Sequence, residues 1–209
     1  MIHLAPSIPA VTTFAILALV TFDTLGWDNR GLSLFLDIFT SSEERLRITR
    51  HEAGHFLVAY LLHIPIDNYA LSAWAALRQG KNGLGGVQCN FATVGATSNR
   101  QELPLLLDRF ATVCMAGMAA EELWYETAAG ERNDLVQLAE AYQQFGVNPG
   151  NLGLKERWAK IQAKTLIEQH INLYECLVKV MAEGASVADC ITAIEKERDD
   201  KSRSLIAMD

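Results

Sequence analysis

The stretch His51-Glu52-Ala53-Gly54-His55-Phe56-Leu57-Val58-Ala59-Tyr60-Leu61-Leu62 decides how the rest of the chain is read. Its second half is built of helix formers and apolar side chains, the composition of a buried helix. On a helix, residues four apart lie about 40° apart around the axis and roughly one turn along it. His51 and His55 therefore present two imidazoles on one face, close enough to share a metal ion. Glu52 points partly aside, where it can reach a water on that metal. Two nitrogen ligands and a neighbouring carboxylate base are the H-E-x-x-H arrangement of metal-dependent hydrolases.

Working outward, Ser41-Ser42-Glu43-Glu44 opens this helix. Ser41 with Glu44 three residues on makes a capping box, and the two acids suit the positive end of the helix dipole. The helix is expected over residues 42–62, stopping before Pro65. His63 lies eight residues beyond His55, about 80° around and two turns on, so it reads as a last-turn histidine facing the negative end of the dipole. Further upstream, residues 8–22 are nearly all apolar or Thr. They amount to about 15 residues, against the roughly 20 that a spanning helix needs. Residues 1–6 contain no Lys or Arg for a signal peptide's basic region. A buried helix, a membrane-associated anchor and a cleaved signal are the three readings of this segment. Residues 31–40 form a short apolar stretch expected to pack as a helix. The organisation expected is an apolar N-terminal segment over 1–40, a main domain over 41–200 and a polar tail over 201–209.

Downstream, residues 66–72 and 85–91 read as strands, with turn material at 79–83. Gly80-Lys81 is no phosphate-binding loop, because that motif needs Gly at 75 and Ser or Thr at 82, and the chain has Ala75 and Asn82. Gly85, Gly86, Val87 and Gln88 suit an edge strand that another backbone can approach and extend, or a plain bulge. Residues 102–124 carry an apolar stripe at helical spacing, with small residues at 116–120 for close packing. Glu121 and Glu122 follow on the same helix, where one could orient a ligand imidazole and at least one should face solvent. Asp134 opens another helix, running to about Phe145, either as a capping or first-turn acid or as a third metal ligand. A breaker cluster at 146–151 precedes a helical run to about Glu183, in which His170 reads as exposed or capping, and a last helix starts near Ser186. The fold class is mainly α (α+β), with a small β-hairpin or sheet beside the metal-site helix.

Bulk composition narrows the function. A chain of 209 residues can bury one substantial core. Its net charge of −7 argues against nucleic-acid binding, since no basic surface is evident to neutralise phosphates. Cys89, Cys114, Cys176 and Cys190 form no C-x-x-C pair, so they read as buried thiols in a reducing compartment rather than a metal cluster or disulfide frame.

Three landmarks in order resemble the peptidase domain of the FtsH family, ATP-dependent zinc metalloproteases usually tethered to a membrane. His51-Glu52-Ala53-Gly54-His55 matches the family's H-E-A-G-H helix. Ala116-Gly117-Met118-Ala119-Ala120-Glu121-Glu122 looks like its G-G-x-A-A-E-E helix, with Ala116 in place of the first Gly. Gly130-Glu131-Arg132-Asn133-Asp134-Leu135 is similar to its G-A-x-N-D-L segment. Leu84-Gly85-Gly86-Val87-Gln88 resembles the Gly-containing strand beside the family's substrate cleft. The likeness spans residues 45–197. Two departures accompany it: residues 1–40 hold no counterpart of the ATPase module that precedes this domain in the family, and the family's W-G-M-S stretch appears only as Gln144-Phe145-Gly146-Val147.

The resemblance implies Zn2+ held by His51, His55 and Asp134, with Glu52 as general base and unfolded polypeptide as substrate along residues 85–88. It implies an ATPase partner acting in trans, if any motor is used. A homo-oligomer is expected, either cytoplasmic or membrane-associated through residues 8–22. The alternative is a non-proteolytic zinc-containing binding or assembly module, which would have no need of Glu52.

Overall fold

A computed structural model describes residues 7–26, 30–79, 85–90, 102–125, 131–144 and 150–206. Among these the chain is mainly helical, with one two-stranded antiparallel sheet. It divides into two compact units: residues up to 41 together with 70–85, and residues 42–69 together with 86 onward. The smaller unit is therefore not the contiguous 1–40 segment expected.

The larger unit is assembled around a helix at Ser42–Leu61 (here α3; α1 and α2 belong to the smaller unit), with Glu43 and Glu44 in its first turn. Its middle, from His51 to Ala59, is buried apart from the partly covered Glu52. The helix ends one residue earlier than expected, in a cap that involves His63. His63 adopts the left-handed region at φ 56°, its N–H donates to Tyr60 O at 3.1 Å, and Ile64 N–H reaches back to Ala59 O at 2.9 Å. That paired pattern is a Schellman cap, so the role of His63 lies in its backbone.

Strands β1 (Ile66–Ala70) and β2 (Gly86–Cys89) follow, shorter than expected because Ser72 caps a helix, α4 (Ala73–Arg78), between them. Ser72 Oγ accepts from Ala75 N at 3.1 Å. The turn expected at 79–83 lies mostly outside the described residues. The helix expected over 102–124 is divided at Met115 into α5 (Leu103–Cys114) and α6 (Ala116–Glu121). Helices α7 (Glu131–Gln144), α8 (Leu152–Gln169), α9 (Ile171–Ala182) and α10 (Val187–Ile206) complete the unit. The expected helical run to Glu183 breaks at His170, which ends α8 and starts α9. A reciprocal Ser186–Asp189 cap starts α10. That helix continues through the expected polar tail, up to Ile206; Glu197 and Lys201 supply opposite charges four residues apart that favour helix.

Close packing of α3 on α6 places the site. A Cβ on Gly54 would lie 2.5 Å from Ala116 O and 2.7 Å from Ala120 Cβ, so only glycine lets the two helices meet there. On the other side of α6, Leu107, Met115, Met118, Leu138 and Tyr142 join α5, α7 and α8 in a buried cluster. Tyr174 of α9 is fully buried, and its hydroxyl donates to Arg50 O at 2.8 Å. All four cysteines are free, with Cys114 and Cys190 buried.

The smaller unit contains α1 (Ser7–Gly26), α2 (Arg30–Ile38) and α4. Helix α1 runs 20 residues, longer than the apolar stretch suggested, and its large apolar side chains are exposed. By length and composition it could cross a membrane or serve as a signal sequence. The carboxylate of Asp23 accepts N–H bonds from Gly31 at 2.7 Å and Leu32 at 2.8 Å, which fixes the start of α2.

Candidate metal centre

Three donors from two helices converge in the buried middle of the larger unit. His51 Nε2 and His55 Nε2, one turn apart on α3, are 3.0 Å from each other. Asp134 Oδ2, from the first turn of α7, lies 3.3 Å from the first and 3.5 Å from the second. All three residues are buried. Ligands held at ~2.0–2.1 Å on a tetrahedral ion are roughly 3.3 Å apart, the spacing found here.

The chemistry of the donors argues for a cation among them. His55 Nδ1 is 2.7 Å from Val113 O, a pure acceptor, so Nδ1 carries the hydrogen and Nε2 of the neutral ring carries a lone pair. His51 Nδ1 is 2.7 Å from Glu121 Oε1 and is fixed in the same way. Asp134 Oδ2 is buried without a hydrogen bond of good geometry. Two lone pairs and a carboxylate oxygen at these distances repel each other unless a proton or a metal ion sits between them. The proton affinities express the same demand. Burial opposes charge on His51, yet the Asp134 and Glu121 carboxylates outweigh it and raise its pKa to about 10. Burial alone would push Asp134 up, but the two imidazoles hold it well below the usual carboxylate range. His51, His55 and Asp134 thus form a buried group that could hold a metal ion.

Space for an ion is left by Gly117. A Cβ there would lie 2.3 Å from His51 Nε2 and 2.4 Å from His55 Nε2, filling the cradle in front of both lone pairs. Because α6 gives Gly117 no left-handed backbone to justify it, this close approach is the physical reason for a glycine inside a helix.

Behind the ligands stands a second row of contacts. Glu121 Oε1 faces His51, while its Oε2 accepts from Arg47 Nε at 2.7 Å. Arg47 lies four residues before His51 on α3, so an arginine and a ligand share one helix face and one carboxylate. Glu122, the other acid considered, points elsewhere and pairs with Lys160 Nζ at 2.7 Å. His63 and His170 take no part in the site.

Glu52 sits beside the group but outside it. Its Oε2 accepts the N–H of Val87 in β2 at 2.8 Å. Asn90 N–H donates to Pro65 O on the β1 side at 2.8 Å, so strand alternation turns the Val87 N–H to the opposite edge of β2. Burial pushes the Glu52 carboxyl up, while both histidines and the Val87 N–H pull it down. Gly86 has φ 116°, a conformation that favours glycine, and its missing Cβ would lie 3.8 Å from Glu52 Oε2. Gly85, at φ 117°, instead closes against Ala70 O, and Gln88 is exposed. Of the four strand residues singled out in the sequence, Gly86 and Val87 reach Glu52 and the other two do not.

Arg47 and the Val113 carbonyl escaped the sequence reading, as did the role of Gly117 within the small-residue stretch. Arg47 had a signal, its spacing of four from His51. Gly117 had one too, as an isolated glycine in a helical pattern. The Val113 carbonyl had none, because every residue carries one. Residues 145–147, the remnant of the W-G-M-S stretch, lie outside the described residues. No family model matches the chain, and no curated protein matches it, so the meaning of the site rests on its own geometry.

Proposed function

We propose that this chain is a zinc-dependent endopeptidase resembling the FtsH peptidase domain, acting on unfolded polypeptide. The observation that carries the reading is the convergence of His51 Nε2, His55 Nε2 and Asp134 Oδ2 in front of Gly117, with the carboxylate of Glu52 alongside. Two imidazole nitrogens and one carboxylate oxygen suit zinc better than calcium or magnesium, which take oxygen ligands. When bound, zinc supplies the Lewis acidity that makes water a nucleophile near neutral pH.

The protein's own groups do the rest. Glu121 keeps His51 in the tautomer that offers Nε2, and Val113 O does the same for His55. A substrate strand would add to the edge of β2 that carries the Val87 N–H, taking that N–H from Glu52 and releasing the carboxylate next to the reacting bond. Glu52 then takes a proton from the attacking water as the new C–O bond forms at the peptide carbonyl. It delivers that proton to the amine nitrogen as the C–N bond breaks. Substrates are unfolded segments, and an ATPase acting in trans would extend the range to folded ones. A homo-oligomer and a membrane anchor through α1 complete the picture.

A zinc-holding assembly module is the second reading, and one observation favours it: Glu52 is hydrogen-bonded to the strand edge that a substrate would need. One experiment separates the two. The purified full chain is loaded with zinc, its metal content is measured, and cleavage of an unfolded protein is followed with wild type and Glu52→Gln. The peptidase reading expects bound zinc in both and cleavage in wild type alone. Cleavage that persists in the variant sinks it, and zinc without cleavage in wild type gives the module.

A further inference from the structure

We propose that α2 and α4 form a lipid-facing shelf at the end of α1, on which Leu32, Phe35, Leu36, Phe39, Trp74 and Leu77 lie in the headgroup region of a bilayer. The inference rests on reading α1 as a membrane anchor and extends it to a second surface.

Helix α1 has no apolar stripe. Val11, Phe14, Ile16, Leu17, Leu19 and Val20 point around its whole circumference, and each is at least half exposed. A protein partner needs one seam, whereas lipid wets every side, so the occupant this pattern fits is a bilayer. Twenty residues at 1.5 Å per residue give roughly 30 Å, the thickness of a hydrocarbon core. The end of α1 therefore stands at the height of the headgroups.

Helix α2 starts at that height. Both oxygens of Asp23, in the last turn of α1, are taken by the first N–H groups of α2. Along α2 and in the turn that ends it, residues 32, 35, 36 and 39 recur at helical spacing and are 49–70% exposed. Its other side binds α4: Trp74 Nε1–H donates to Leu34 O at 3.2 Å, and Trp74 N–H to Asp37 Oδ2 at 3.4 Å. The Trp74 ring is thus exposed with its one polar atom already satisfied, the state in which an indole enters a membrane interface at least cost. Leu77 is exposed one turn on. Across α2 and α4 the sequence carries two Arg and one Asp, too few charges to bind a headgroup layer by themselves, so the shelf depends on apolar area.

The placement bears on the candidate site through chain connectivity alone. Strands β1 and β2 are joined through α4, so the strand that carries Val87 is tied to a lipid-bound element.

The test uses the full chain in phosphatidylcholine vesicles whose acyl chains carry bromines either near the headgroup or near the methyl end. Trp74→Phe isolates the Trp74 contribution from Trp27, Trp124 and Trp158. The shelf predicts that the emission lost in Trp74→Phe is quenched at least about twofold more by shallow than by deep bromines, as an interfacial indole should be. Phe35→Ser with Phe39→Ser should reduce that quenching; unchanged quenching overturns the shelf. Trp74 emission quenched by aqueous acrylamide but not by bromines overturns it, and emission shielded from both assigns the surface to a second copy instead. Alkaline carbonate extraction reports separately on α1. A chain that resists extraction with Trp74 unquenched loses the shelf alone. A chain that is extracted with Trp74 still quenched keeps the shelf as a surface patch and loses the span.

Discussion

On the ligand side of the centre, both imidazoles are backed by another group: His51 by Glu121 and in turn Arg47, His55 by the Val113 carbonyl, and the pair together by the contact of α3 with α6 at Gly54. On the side of the proposed base, Glu52 has one hydrogen bond among the described residues, to the amide of a strand. The difference teaches what each side has to do. Ligands must stay put through a reaction cycle, so their orientation is fixed from behind. Under the proposed function, a base must move a proton and meet a substrate, which suits a contact to the edge where a substrate strand would add.

Substitutions can break this contrast, and the largest effect is expected on the base side. Glu52→Gln should lower cleavage by about 10²–10⁴-fold, the usual contribution of a general base. Zinc content should not change; loss of zinc in that variant would mean that the two sides are not separable. On the ligand side, Asp134→Ala should weaken zinc binding by more than the roughly 10–100-fold typical of losing an outer contact. Retained affinity, measured by chelator competition, would return Asp134 to a helix-start acid. Gly117→Ala sharpens the point further. An Ala in a helix interior is ordinarily favoured over Gly by about 1 kcal/mol, so helicity by circular dichroism should hold. Zinc uptake should nevertheless fail, because the added Cβ would lie 2.3 Å from His51 Nε2.

Smaller effects follow from the outer row. Glu121→Gln should weaken zinc binding by about 10–100-fold, and Arg47→Met by less, since the arginine acts only through the carboxylate. Equal losses would show that Arg47 holds the helices rather than the ligand. Acidity should act in one direction. A metal ion must displace the proton that His51 holds up to about pH 10, so zinc binding should strengthen as pH rises from 6 to 9, by about tenfold per unit while one proton is released. Titration of affinity against pH with the opposite slope would remove His51 from the ligand set.

Helix α3 was legible because its signals agree: a capping box at Ser41–Glu44, two histidines one turn apart, and an apolar run behind them. The two acids at 121 and 122 were legible as a pair but not in their division of labour. Adjacent helix positions differ by about 100°, and only the seating of α6 on α3 decides which of them reaches His51. Helix α4 was hidden by its length of six residues between two strands, and its anchor is Trp74, whose partners on α2 are remote in sequence. The end of α10 reads as a tail because its charges suit solvent, although Glu197 and Lys201, four residues apart, equally support a helix.

The close approach at Gly54 also sets an order of events during folding. The third donor comes from α7, far along the chain, while α3 presents its two imidazoles as soon as it forms. The cradle at Gly117 exists only once α6 has docked against Gly54. Early in folding, α3 can offer at most two of the three donors, too few for tight capture, and the full site arrives with the tertiary contact. Metal uptake by a refolding chain should therefore lag behind helix formation and keep time with the docking of α3 and α6, which makes the ion a stopwatch for that single step.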